Sequence, residues 1–231
     1  MMSFTLFRVQ VTIHPSLWVM LLLLSALFTG FSAGVPGVAL FAVALFLCLL
    51  THEMGHSLVG RCLGGGQPEI YLAWLGADSC NESARLTRTQ GILMTAAGPL
   101  ASLLPVLLVT IVLTFILGNP ADALAVLGGL LQGQIPAVFM EMYPPMVMVF
   151  ALYLVQISVW WSLLNLLPVF PLDGGQIMHG LMRSAQSMHR LSLAFACFLT
   201  FFFLILGSLW MVFVMGALAL FNYRCMQNQP D

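Results

Sequence analysis

Thr51-His52-Glu53-Met54-Gly55-His56 closes an apolar run over residues 38–50, and its reading decides the fold. Histidines four apart lie on one face of a helix, one turn above each other. Their ring nitrogens can then reach a single metal ion at about 2.0–2.1 Å, the usual zinc–nitrogen distance. Glu53 follows the first histidine and can act as general base on a metal-activated water. A His and a Glu inside a membrane helix are costly and default to a functional reading. The stretch therefore predicts a helix over residues 37–63 that spans the membrane and carries a zinc site.

The rest of the chain supports a membrane setting. Of 231 residues, 61% are hydrophobic and 6% charged, against about 25% charged in soluble domains. With a mean hydropathy of +1.02, the chain reads as an all-α polytopic membrane protein in a lipid bilayer. The net charge of −1 supplies no basic patch, so no nucleic-acid partner is expected. Cys48, Cys62, Cys80, Cys197 and Cys225 form no Cys-x-x-Cys pair and read as small hydrophobes.

About six transmembrane helices follow from the apolar runs. Residues 1–14 form a short amphipathic lead with Arg8. His14-Pro15-Ser16 opens a first span over about 16–31, with His14 at the interface or touching a site. Gly30-Phe31-Ser32-Ala33-Gly34 matches the spacing of a nucleophile elbow but lacks the strand that elbow requires, and reads as a turn. The second span is the metal-motif helix. In the polar segment 64–90, the alternation at residues 69–75 predicts a small membrane-surface hairpin between the second and third spans. The third span, about 91–117, contains Gly98-Pro99, where a kink is expected. Residues 118–145 hold an apolar middle, 121–139, that reads as a re-entrant or interfacial piece. A fourth span, about 146–167, ends in Asn165-Leu166-Leu167-Pro168-Val169-Phe170-Pro171-Leu172-Asp173-Gly174-Gly175. The last apolar stretch, 191–223, exceeds one span of about 20 residues; Gly207-Ser208 allows a tight turn and two helices, with one long tilted helix as the competing reading. Residues 1–231 then form one integral-membrane domain, with a core over about 14–180 and a C-terminal transmembrane hairpin over about 190–224.

All the cationic side chains apart from histidine are arginines, and with six spans Arg8, Arg61, Arg85, Arg88, Arg183, Arg190 and Arg224 fall on one side. The positive-inside rule makes that side cytoplasmic. The multi-pass protein is expected in the cell membrane with its active site toward the cytoplasm. Arg61 lies five residues past His56, about 7.5 Å along the helix, so the motif sits inside the membrane near that face.

A catalytic zinc usually has three protein ligands and one open position. His52 and His56 supply two. Asp173 is the best third, an acid in a broken helix at membrane depth on the same face. His179 is a rival ligand, and a turn-capping role for Asp173 is the plain alternative. The chemistry is then metal-assisted peptide hydrolysis: Glu53 takes a proton from water and returns it to the leaving amine. The amide of Asn165 could hold the oxyanion or bond to a neighbouring helix. The broken backbone at 168–171 could pair with an unwound substrate strand.

His52-Glu53-x-x-His56 together with Asn165-x-x-Pro168-x-x-Pro171-x-Asp173-Gly174 resembles the site-2 protease family of intramembrane zinc metalloproteases, peptidase M50. Gly98-Pro99 and His14-Pro15 are similar to patterns of its small sporulation-protease branch. The resemblance implies one zinc on His52, His56 and Asp173, a catalytic Glu53 and an assisting Asn165. It implies membrane-spanning or membrane-tethered regulatory proteins as substrates, in regulated intramembrane proteolysis. Gln176 stands where many relatives have an arginine. No segment is long enough for a PDZ or CBS domain, so such control is expected to be absent from this chain or supplied by a regulatory membrane partner. Two other readings are a proteolytically inactive relative that binds clients, and an ion-coupled transporter using the same His, Glu and Asp.

Overall fold

Alternation governs the N-terminus of the computed structural model, which describes residues 1–30, 33–64, 66, 68–73, 76–80, 86–182 and 184–227, with backbone alone at 76–80, 138 and 140. Val9, Val11 and Ile13 face inward from β2 (Val9–Ile13). β2 folds back on β1 (Met2–Leu6) through Phe7 and Arg8, whose φ angles are 49° and 64°. Two positive φ values are what a two-residue I′ hairpin requires. The amphipathic lead is therefore a hairpin. It pairs further: β2 runs parallel to β3 (Glu69–Ala73), and β3 antiparallel to β4 (Gly76–Cys80), giving the order β1-β2-β3-β4.

This sheet corrects the all-α expectation. An isolated hairpin is marginal in water, and the inward residues of β2 and β3 need cover. Val9, Val11, Ile13, Ile70 and Leu72 form one face that packs on Leu17 and Leu21 of α1 (Ser16–Thr29) and on Leu45, Cys48 and Leu49 of α2 (Gly34–Cys62). The sheet thus braces the helix that carries the metal motif. Arg61, near the end of α2, donates to the Phe7 carbonyl at 2.8 Å and ties the β1–β2 turn to that helix.

The helices follow the apolar runs, with three differences. The third span is two helices, α3 (Arg88–Ala101) and α4 (Leu104–Leu117), bent by 41°. Pro99 lacks a backbone donor inside α3, and Pro105 sits in the first turn of α4, where a missing N–H is tolerated. The connection 118–145 holds α5 (Pro120–Leu131) and α6 (Ala137–Met142), packed toward α4 and α7 (Pro145–Asn165) around Leu113, Leu130, Phe139 and Val155. After α7 the chain breaks, then forms a short helix that the sequence reading missed, α8 (Asp173–Leu181). The final stretch is two helices, α9 (Ala185–Ile205) and α10 (Leu209–Gln227), turning at Gly207 with φ 73°.

Among the described residues, four helices are long and apolar enough to cross a membrane: α2, α7, α9 and α10. The bent pair α3 and α4 makes a fifth if it is one span. α1 has 14 residues, about 21 Å, short of a hydrocarbon core of about 30 Å. Length and composition therefore give four or five spans, not the six expected. The outward faces are apolar, with Phe115, Phe198, Phe201 and Phe213 all more than half exposed, as a lipid-facing surface requires. Phe31 and Ser32 of the elbow-like stretch, Trp74 and Leu75 of the alternating stretch, and Arg85 and Arg183 lie outside the described residues.

Candidate metal centre

α2 presents His52, Glu53 and His56, all buried within the bundle. α8 begins at Asp173, also buried. The break after Asn165 turns the chain so that this carboxylate meets both histidines. His52 Nε2 lies 3.1 Å from Asp173 Oδ2, and His56 Nε2 lies 3.4 Å from Oδ1. The two Nε2 atoms are 3.1 Å apart. Ligands about 2.0–2.1 Å from a tetrahedral metal stand about 3.3–3.4 Å from one another. The two histidine nitrogens and the carboxylate therefore approach one another at the spacing of zinc ligands, each histidine facing a different carboxylate oxygen.

The far sides of the rings set the tautomers. His56 Nδ1 lies 2.9 Å from the Met94 carbonyl, which only accepts, so Nδ1 carries the hydrogen. His52 Nδ1 lies 2.9 Å from Ser102 Oγ, whose hydroxyl donates to the Gly98 carbonyl at 3.1 Å. Nδ1 is again the donor. In the neutral rings both Nε2 atoms are then lone pairs, facing each other and a carboxylate. Asp173 Oδ2 is buried and makes no hydrogen bond. Three converging lone pairs without a proton between them repel; a cation relieves this, and the donor set fits zinc. A glutamate oxygen of Glu53 lies within 4.8 Å of the two histidine donors, near enough to reach a water on such a cation.

α3 supplies the supporting shell from one stripe. Met94, Gly98 and Ser102 are four apart and face α2. At Gly98 a Cβ would run into the His56 imidazole. α7 closes another side: Ser162 Oγ donates to the Pro99 carbonyl at 2.8 Å, and the Trp161 ring stands edge-on to His52 with centroids 6.3 Å apart. The sequence reading missed Ser102, Met94 and Trp161. The three-residue stripe along α3 and its C-cap was a visible signal, but nothing in it marks chemistry.

Other candidates sort by position. Asn165 is buried at the end of α7, and its amide donates to the Trp161 carbonyl of its own helix at 3.0 Å. His14 stands just before α1, where the Ser16 N–H donates to its Nδ1 at 3.3 Å. His179 stays out of the donor cluster. It is exposed on α8 and lines a cleft of about 430 Å³ with Arg88, Thr95 and Gln176. Gln176, in place of the arginine, donates to the Pro171 carbonyl at 3.0 Å. The backbone at 168–171 does not offer an open edge at Phe170. Its N–H donates to Ser192 Oγ at 3.1 Å, and its carbonyl accepts from Asn222 Nδ2 at 2.6 Å.

Fold and donor set together define a class: a mostly helical membrane bundle holding a site of metallohydrolase type. The sequence model described as peptidase family M50 matches residues 40–207, and the chain belongs to that family, the family of site-2 proteases. Over 183 residues, 75% of the chain, it is 30% identical to a Synechocystis sp. protein that carries the provisional name of zinc metalloprotease. The chain spans 42% of that relative's length. A solved structure, the site-2 protease from Methanocaldococcus jannaschii, superimposes with a TM-score of 0.57 at 16% identity, covering 100% of this chain and 97% of that one. At that identity the likeness bears on the fold.

Proposed function

We propose that the protein is an intramembrane zinc metalloprotease. It hydrolyses peptide bonds in or near transmembrane segments of membrane-anchored regulatory proteins, with one zinc per chain on His52, His56 and Asp173. The observation that carries this reading is the convergence of those three donors at 3.1–3.4 Å, with Glu53 beside them on an apolar helix. Bound zinc would supply Lewis acidity to water and to the scissile carbonyl. Glu53 takes the proton from water and delivers it to the leaving amine. Asn165, by rotating its amide off Trp161, assists at the oxygen that gains charge. The bundle walls keep bulk water out and strengthen these interactions. The arginine distribution supports a cytoplasmic-facing site.

The test is a comparison of purified wild type with Glu53→Gln on single-span membrane substrates. Glu53→Gln should keep its zinc and lose about 10²–10⁴-fold or more in cleavage, the range for a general acid–base group. His52→Ala and Asp173→Ala should lose both zinc and cleavage. A Glu53→Gln protein that still cuts at the wild-type rate sinks the mechanism. Zinc in both proteins with no cutting by either favours the client-binding alternative.

A further inference from the structure

We propose that the C-terminal helix pair positions the third metal donor: Ser192, His189 and Asn222 grip both backbone groups of Phe170 and so hold the turn from which Asp173 projects. The inference rests on the zinc-site reading above. α10 lies beyond the residues matched by the family model, and nothing in the His-Glu-x-x-His chemistry calls for it.

The grip is a closed polar network in an apolar setting. Asn222 is fully buried, His189 is 4% exposed and Ser192 is buried. Asn222 Nδ2 donates to the Phe170 carbonyl at 2.6 Å and to the Leu218 carbonyl at 2.9 Å. Both amide hydrogens are thereby used, which fixes the flip of the side chain. Asn222 Oδ1 must then accept, and it does so from His189 Nδ1 at 2.9 Å. Ser192 accepts the Phe170 N–H. The Phe170 ring is held as well, stacked on Phe221 at 6.1 Å and edge-on to His189 at 5.4 Å. Val169, fully buried, packs with Ala196 and Ala219 of the same two helices.

Phe170 passes that hold to Asp173 through the first turn of α8, where its backbone lies against Gly175. It lies between Pro168 and Pro171, which have no N–H to anchor the turn. A Cβ on Gly175 would collide with the Val169 and Phe170 backbone, and one on Gly174 with the Leu166 and Leu167 carbonyls. The first turn of α8 therefore lies flush against the gripped loop, and Asp173 opens that turn. Buried polar groups this costly to desolvate must be fully paired. Here the pairing is spent on the backbone of one residue, three positions before a candidate ligand. Neutral packing between α9 and α10 would not need it.

The test is zinc retention by the full chain in detergent, titrated against a chelator, with folding checked by elution profile and helical circular dichroism. Asp173→Ala is measured first. If it holds zinc as tightly as wild type, the zinc-site reading fails and this inference with it. If it is weakened, the grip is judged separately. Asn222→Ala and His189→Leu should each lose about tenfold in zinc affinity while remaining folded, as supporting-shell changes do. His189→Gln should recover most of that loss, because its amide N–H can replace Nδ1–H toward Asn222. Folded Asn222→Ala and His189→Leu proteins with wild-type zinc affinity overturn the proposal. So does a His189→Leu protein equal to His189→Gln, since packing alone would then suffice. If Asn222→Ala does not fold, the His189 pair and Ser192→Ala, which deletes one hydroxyl, decide the matter by the same readout.

Discussion

Individual residues here act through what stands behind them. His52 and His56 each present Nε2 because Ser102 Oγ and the Met94 carbonyl hold the opposite nitrogen. Ser102→Ala should therefore leave the bundle folded and weaken zinc binding about 10–100-fold, the usual cost of removing an outer-shell partner; chelator competition reads it. Gly98→Ala should do more, since the added methyl would displace the His56 ring. Gly91→Ala on the same helix is the control, because a Cβ there meets nothing within 4 Å. Equal zinc affinity in the two glycine variants would show that α3 does not shape the site.

At the scale of elements, the four-stranded sheet is the part least expected of a membrane protease chain. Its inner face bears on the same side of α2 as Leu45 and Leu49, below the motif. Leu72 is fully buried in that face. Leu72→Ala should cost about 2–5 kcal/mol, the range for a buried Leu truncation, and lower the thermal midpoint in detergent. Glu69→Ala, on the exposed side of the same strand, should stay within about 0.5 kcal/mol. A Leu72→Ala protein as stable as wild type would mean that the sheet rides on the bundle without bracing α2.

For the whole molecule, the site lies where elements from distant parts of the chain meet, so metal and orientation are the tests. Stripping zinc with a chelator should abolish cleavage, and readding zinc should restore it, with loss and recovery following metal content. Cys62, exposed at the end of α2 about 1.7 turns past His56, reports which face the site opens to. In a variant keeping only that cysteine, a membrane-impermeant thiol reagent should label inside-out vesicles and spare intact cells. Labelling of intact cells alone would reverse the cytoplasmic assignment drawn from the arginines.

The sequence by itself determined that this chain lives in lipid, that α2 carries His52, Glu53 and His56 on a span, and that an acid in a broken segment stands ready as partner. Those features are local: composition sets the solvent, the 3.6-residue repeat sets the face, and prolines set the break. Only the tertiary structure decided the rest. The strands of residues 2–13 could not be told from an amphipathic lead until β3 came alongside, because a five-residue alternation gains its cover from a partner far along the chain. Pairing also decided the fate of the Phe170 backbone: its hydrogen bonds go to α9 and α10, not to an open edge. Ser102, Asn222 and His189 look like ordinary polar residues in their own helices. They gain a role only where helix packing sets them beside a ring nitrogen or a peptide group, and burial there commits their polar atoms to those partners.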